Sequence, residues 1–312
     1  MESPRTNPAT APAPPPWAVY GALVIVQLLF GANYIAAKMA FLEVTPLGLV
    51  FFRAWGTVAV LGAALALRRR PRRPNAPRLQ LREFGELLLY SLLGISINQV
   101  AFLEGLDRSS ATNAAIILVT IPVVTLAFAV LLKRERATLA GVAGITLGLA
   151  GALIIILPRG GVTIASSAML GNGLLLVCAA SYSLFLVQAR SILVRHDTLV
   201  VVTWMFVLAG VTLTPVGYAG ARDAIVHGVS PAGWAAVAFV TVGATAIPYL
   251  FNSWALVTAK SSVVAVFVLI QPIVAAVLGR IYLGEHLGPH AALAGALIVA
   301  GVMASAWSRR GR

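Results

Sequence analysis

Apolar and polar positions along this chain fall into long blocks, not into an amphipathic alternation. Ten apolar blocks stand out, at 17–40, 46–67, 84–105, 109–132, 137–157, 168–190, 198–218, 232–255, 260–281 and 289–307. A helix needs about 20 apolar residues to cross a bilayer. In hydrocarbon only helices and closed barrels satisfy the backbone. Alternating barrel strands are absent, so the pattern predicts an all-α polytopic membrane protein with ten transmembrane helices. Most connections are short; the exceptions are the loop 68–83 and those near 158–167 and 219–231. They leave no room for a soluble domain.

The opening stretch "MESPRTNPATAPAPPP", residues 1–16, is polar and proline-rich. It reads as a disordered tail. The block after it has no clear small-x-small cleavage site and nine similar blocks follow. It therefore reads as a first span and not as a cleaved signal.

Composition fits this picture. Hydrophobic residues make up 59% and charged residues 11%, with a mean hydropathy of +0.91. A soluble domain carries roughly 25% charge. The net charge of +13 alone would point to nucleic acid. Its placement points elsewhere, because arginines cluster between blocks, most densely in "RRRPRRPNAPRLQLRE" (68–83). Such runs report topology and contact with anionic lipid heads at the cytoplasmic face. With a cytoplasmic N-terminus, 17 lysines and arginines lie inside and four lie outside, namely Arg108, Arg159, Arg222 and Arg280. Both termini are thus expected in the cytoplasm, and no nucleic-acid partner is expected. The single cysteine, Cys178, excludes an intrachain disulfide and a cysteine-based metal site. It reads as a buried, inert thiol.

The chain repeats itself. A shift of 150 brings Leu106 onto Leu256, Pro122 onto Pro272, Glu135 onto Glu285 and Gly151 onto Gly301. A shift of 152 sets "FGANYIAAK" (30–38) against "YSLFLVQAR" (182–190), ending in Lys38 and Arg190. Each unit holds five spans, an odd number, so the two units are expected to be inverted in the membrane. The resulting organisation is a tail (1–16), a first repeat (17–157), a connection (158–167), a second repeat (168–307) and a basic tail (308–312). Inverted repeats are a mark of secondary transporters, with the substrate site at the repeat interface near the midplane.

The motifs "FGANYIAAK", "LVFFRAW", "NQVAFLEGLDRSSATNAAIILVTIPVV" and "PVVTLAFAVLLKRERATLAGVAGITLGLAG" cover the first repeat. "AKSSVVAVFVLIQPIVAAVLGRIYLGEHLG" and "AGALIVAG" punctuate the second. In these the chain resembles the EamA family of the drug/metabolite transporter superfamily. The resemblance implies ten helices, an inner-membrane location, and export or exchange of small metabolites such as amino acids. It leaves the substrate unspecified. The family's usual tryptophan-glycine of the first span is Phe30-Gly31 here, and its usual tryptophan of the sixth is Tyr182.

Polar residues inside apolar spans are costly and mark sites. Arg53 has two readings. It holds the carboxylate of a passing substrate, or it pairs with Glu104 or Glu43. Asn33, Tyr34, Asn98, Gln99 and Asn113 in the first half, and Tyr182, Gln188, Tyr249, Asn252, Trp254 and Gln271 in the second, either glue helices or line a pocket for an amphipathic metabolite. Trp55 and Trp204 offer stacking surface or plain packing. Lys38 reads as an outer anchor or structural pair. Pro122 and Pro272 fall inside spans, where a proline costs about 3 kcal/mol, and read as paired hinges or fixed kinks. Glu135 and Glu285 read as caps or ion pairs, and Ser109, Ser110, Ser261 and Ser262 as helix caps. Gly31, Gly94, Gly105, Gly141, Gly144, Gly148 and Gly151 are expected to admit close helix contact.

Other chemistry is missing from the sequence. His286 and His290 flank Gly288-Pro289, which breaks the helical face that metal binding would need. No nucleophile set, phosphate loop or cofactor motif is visible, so neither a metal nor a cofactor is expected. No acid lies in the middle third of any span, so either coupling uses Glu104 or Glu86 at a helix end or the protein is a facilitator or exchanger. The expectation is an inner-membrane secondary transporter working by alternating access on small polar or amphipathic, preferably amino-acid-like, substrates. A membrane-embedded enzyme and a non-transporting sensor or scaffold are the alternatives. The first needs a converging catalytic set and the second an output domain.

Overall fold

The computed structural model describes residues 15–68, 79–109, 114, 117–156, 166–283 and 291–307. Among them helix dominates and no strand occurs. The helices are α1 (Pro16–Ala40), α2 (Pro46–Leu67), α3 (Leu81–Arg108), α4 (Ile121–Leu131), α5 (Leu139–Ile156) and α6 (Ser166–Gln188). They continue with α7 (Thr198–His227), α8 (Pro231–Thr258) and α10 (Ala291–Trp307). Between α8 and α10, α9 joins three segments, Ser261–Val266, Phe267–Ile270 and Gln271–Leu283. Six helices (α1, α2, α3, α6 with its following turn, α7 and α8) are long and apolar enough to cross a membrane, and four shorter apolar stretches accompany them. The chain is a multi-pass membrane protein. Apolar side chains such as Ile25, Leu176, Val211 and Met303 stand exposed on the outer faces, where a bilayer would solvate them. The expected N-terminal tail lies outside the described residues except for its last two, and the C-terminal tail, the basic stretch 69–78, Ser110, Asn113, Glu285, His286 and His290 lie wholly outside.

Helix starts follow local chemistry. The Thr45 hydroxyl accepts the Gly48 N–H (3.1 Å) ahead of α2, and the Ser230 hydroxyl accepts the Gly233 N–H (3.0 Å) ahead of α8. Each is followed by a proline in the first turn, where its missing N–H leaves no gap. The stretch 219–231, expected as a loop, is mostly helix. Nothing in "GARDAIVH" stops α7 until Gly228, whose φ of +83° ends it.

Glycines set how the helices meet. A Cβ on Gly48 would lie 2.7 Å from the Gly220 backbone, and one on Gly217 2.9 Å from the Phe51 Cβ. The Trp55 ring fills the space beside Gly210 and donates its indole N–H to Thr214 (3.0 Å). Contacts that advance along α2 thus retreat along α7, so the two helices run antiparallel. The same holds for α5 and α10, where Gly144 meets Gly301 and Gly151 meets Ala294 and Ile298. Helix α3 packs on α6, and α1 on α8. Gly141 departs from expectation: a Cβ there would meet only the Thr138 hydroxyl of its own helix start.

Two cations tie helix ends. Lys38 Nζ donates to the Leu106 carbonyl (2.7 Å), and Arg190 Nε to the Leu256 carbonyl (3.0 Å). Each satisfies an orphan acceptor at the end of α3 or α8, where the helix dipole favours a cation. The Glu135 carboxylate, just past α4, accepts the Ser261 hydroxyl (2.6 Å), the Ser262 hydroxyl and the Ser262 N–H (3.3 Å) at the start of α9. The serines are therefore capped from a neighbouring element and do not themselves cap α9, which starts from Lys260. Ser109 donates to Asn172 (2.6 Å).

Candidate functional site

The prolines give the first surprise. The residues Val119 and Thr120 form a turn, and α4 restarts at Ile121, so Pro122 sits in a first helical turn. In α9 the run Phe267–Ile270 tightens to a 3-10 turn, and Pro272 again follows directly in a first turn. Neither proline costs an interior hydrogen bond there. Each proline stands directly after a break, where it ends the preceding turn and fits the first turn of the next. Helices α3 and α8 are irregular too, carrying π-helical turns at Leu92–Ser96 and Phe239–Ala246. These lie about 150 residues apart. Such turns cost regularity and concentrate at functional sites.

All four irregular helices converge on one cavity of about 70 Å³. Leu118, Ile121, Val268 and Gln271 line it from the breaks in α4 and α9. Helix α1 supplies Phe30, Asn33 and Tyr34; α2 supplies Arg53; α3 supplies Asn98 and Phe102; α6 supplies Cys178 and Tyr182; α8 supplies Tyr249. Phe30 and Tyr182 are mates under the 152 shift, and Leu118 and Val268 under the 150 shift.

Most polar groups here are held by others. Tyr34 donates to Gln271 Oε1 (3.1 Å), and Gln271 Nε2 donates to Gln27 (2.7 Å). The Tyr249 hydroxyl donates to the Gly94 carbonyl (2.5 Å), in the α3 π turn, and lies 3.2 Å from Asn98 Oδ1. Asn98 Nδ2 in turn reaches Cys178 Sγ (3.2 Å). Among the described lining residues, two buried side-chain atoms have no hydrogen-bond partner: Arg53 Nη1 and Asn33 Oδ1. Both residues are 3% exposed. Arg53 meets neither carboxylate expected of it. Its Nε donates to Thr245 Oγ1 (2.9 Å) in the α8 π turn. Glu104 is taken by Arg108, and Glu43 by Ser230. The cavity wall thus includes a guanidinium and an amide, each with one buried unpartnered atom, framed by aromatic rings, and no carboxylate among the described residues.

Of the residues picked out from sequence, Asn33, Tyr34, Arg53, Asn98, Tyr182, Tyr249 and Gln271 come together. Asn252 stands behind the wall and donates to the Tyr182 hydroxyl (2.6 Å). Gln99 is buried off the cavity, while Gln188 and Trp254 lie elsewhere. Trp55 and Trp204 are partly exposed, Trp204 lying edge-on to Phe84 (5.2 Å). The aliphatic lining Leu118, Ile121 and Val268 was missed, as was Cys178. The prolines flagged the first three, since each lies within four residues of one. Nothing in the sequence flagged the cysteine.

The EamA-like transporter family matches this chain twice, at residues 17–157 and 169–307. The chain belongs to the EamA-like transporter family. It is therefore a membrane transporter and not an enzyme. Among curated relatives of this EamA-like chain, an uncharacterized transporter of Archaeoglobus fulgidus is 25% identical over 90% of this chain and 94% of its own. A probable terminal-alkyne amino-acid exporter of Streptantibioticus cattleyicolor is 29% identical over 79% of this chain and 80% of its own. A WAT1-related protein of Arabidopsis thaliana is 23% identical over 92% of this chain and 84% of its own. A solved crystal structure shares the fold with a TM-score of 0.69 at 20% identity, covering 94% of this EamA-like chain and 98% of the other.

Proposed function

We propose that this transporter moves small amino-acid-like zwitterions through the central cavity by alternating access, as export or exchange across the plasma membrane. One observation carries the substrate class. Arg53 and Asn33 both line the cavity, and Arg53 Nη1, a donor, and Asn33 Oδ1, an acceptor, are buried without a partner. A carboxylate suits the first and an ammonium the second. Leaving such groups unpaired costs about 1–3 kcal/mol each, which a matched substrate would recover. Phe30, Phe102, Tyr182 and Tyr249 offer faces for an apolar side chain or a cation. A cavity of 70 Å³ is below the roughly 300–1,000 Å³ of drug-sized sites, which favours a small metabolite. The amino-acid exporter among the relatives supports the same class.

The mechanism rests on ten spans in two inverted five-helix repeats with both termini cytoplasmic. The antiparallel pairs α2/α7 and α5/α10 support the inversion. The breaks before Pro122 and Pro272 give each half one reorientable element at the site. Either break is expected to flex as its side opens. With no described carboxylate in the cavity, substrate gradients and not protons are expected to drive the cycle.

Counterflow in proteoliposomes tests this. Amino acids should exchange faster than through empty liposomes, while their decarboxylated amines and N-acetyl forms should not. Substrate should also slow maleimide labelling of Cys178, the only cysteine. Amines moving as fast as amino acids would overturn the substrate class. No movement of any compound would overturn the transport cycle drawn here.

A further inference from the structure

An apolar groove of about 520 Å³ runs along the outer face of the α4–α5 hairpin. Its walls are Val123, Leu126, Val130 and Leu131 from α4 and Val142 and Ile145 from α5. It is far larger than the central cavity and is not part of it. Past Leu131, which lines the groove, the chain turns through Lys133, Arg134 and Arg136, of which Arg136 also lines a separate pocket with Glu135 and Lys260. All three are exposed, and none has an ion pair or side-chain hydrogen bond among the described residues. The neighbouring carboxylate, Glu135, is already committed to Ser261 and Ser262. The backbone here is specialised as well. Arg134 and Glu135 N–H groups both return to the Ala129 carbonyl (2.8 and 3.0 Å), closing α4 in a C-terminal motif. Its left-handed residue, where glycine is usual, is Lys133, at φ +55°. A cation occupies the one position where glycine would relieve strain.

We infer that this hairpin binds one anionic phospholipid, with an acyl chain in the groove and its phosphate on Lys133, Arg134 and Arg136. The occupant follows from charge and phase together. An apolar groove on a hairpin that faces lipid, followed in the chain by three exposed cations with no ion pair among the described residues, matches an acidic phospholipid. A soluble anion would leave the groove unused, and an apolar peptide would leave the cations unused. The assignment rests on the reading that this end faces the cytoplasm, where anionic lipids concentrate juxtamembrane cations. It does not depend on the substrate. The equivalent stretch of the second half reads "LGEHLGPH", with no arginine or lysine, so the site belongs to one half only.

Native mass spectrometry of the purified protein, mixed with equal phosphatidylglycerol and phosphatidylcholine, tests the inference. One phosphatidylglycerol should be retained over phosphatidylcholine by at least about fivefold, the effect of a single cation near the surface. Lys133→Gln, Arg134→Gln and Arg136→Gln together should bring that ratio to unity. Arg222→Gln, an exposed arginine far from the hairpin in sequence, should leave it unchanged. Val130→Trp, which fills the groove, should remove the retained lipid. Should Val130→Trp fail to fold, the charge variants decide, since they alter exposed side chains only. Equal retention of both lipids, or a preference that survives the triple substitution, would overturn the inference. So would a dimer that Val130→Trp splits, which would make the groove a protein interface.

Discussion

In the first half of the chain Lys38 reaches the Leu106 carbonyl at the end of α3; in the second, Arg190 reaches the Leu256 carbonyl at the end of α8. The two bonds are 152 and 150 residues apart and do the same thing with different cations. The cavity tells the opposite story. Arg53 has no arginine opposite it in α7. Asn33 is matched by Phe185, and Ile121 by Gln271. Positions that hold helices to one another kept their chemistry in both halves. At the cavity the apolar mates Phe30/Tyr182 and Leu118/Val268 kept their character, while the polar positions Arg53, Asn33 and Gln271 diverged. Duplication can supply a scaffold twice, but a small ligand with one carboxylate needs one guanidinium, and a second buried one would be an uncompensated charge.

The comparison can be broken most forcefully at the scaffold. Gly144→Leu or Gly301→Leu drives a side chain into the facing backbone of α5 or α10. Overpacking costs about 1–3 kcal/mol even where neighbours yield, and backbone yields least. Both variants should lose most folded protein on size-exclusion chromatography. Gly295→Leu, on the same helix but facing open space, should fold normally. Equal damage from all three would mean that the seam is not set by these glycines.

Arg53→Gln sharpens the other side. Charge-assisted hydrogen bonds contribute about 1.5–3 kcal/mol, so KM for a carboxylate substrate should rise roughly 10–100-fold. Thermal stability should hold, because the substitution removes a buried charge with one hydrogen bond. An unchanged KM would return Arg53 to the scaffold.

Lys38→Gln and Arg190→Gln should each lower stability by about 0.3–1 kcal/mol. The two losses should be alike and should add in the double variant, read as the detergent melting temperature. A large loss from only one would break the equivalence of the halves.

The smallest effect lies at Glu43, in the connection between α1 and α2. Hydrogen bonds from the Ser230 hydroxyl and N–H hold its carboxyl below the usual carboxylate range. A group depressed on folding stabilises above its unfolded pKa and loses that contribution as pH falls through its folded one. Acidification below the usual carboxylate range should therefore lower the melting temperature slightly more in the wild type than in Glu43→Gln. Parallel pH profiles would show the contact to be idle.

Much of this was legible in the chain. Block length and the scarcity of charge required helices in a bilayer, because no other backbone is satisfied there. The repeat registers that paired Lys38 with Arg190 and Pro122 with Pro272 could be read by sliding the sequence on itself. So could the polar residues worth watching, since an amide or guanidinium in an apolar span must face something. Which of them meet was not legible. Asn33 and Asn252 look alike in sequence, yet one lines the cavity and the other supports Tyr182 from behind. Charge alone points Arg53 to an acid, whereas the structure supplies a threonine from a π turn.

The sequence by itself determined a multi-pass helical transporter of the EamA-like family built on a twofold repeat. The spans and the repeat are written in hydropathy and spacing, and the family in its motifs, all of which can be read along the chain without reference to distant contacts. Only the tertiary structure placed each proline in the first turn after a break. It alone showed that the π turns of α3 and α8 bring Gly94 and Thr245 to Tyr249 and Arg53, and that Cys178 faces the same cavity. Those outcomes depend on where irregular backbone in one helix meets side chains from another, and periodicity within a single helix carries no record of that.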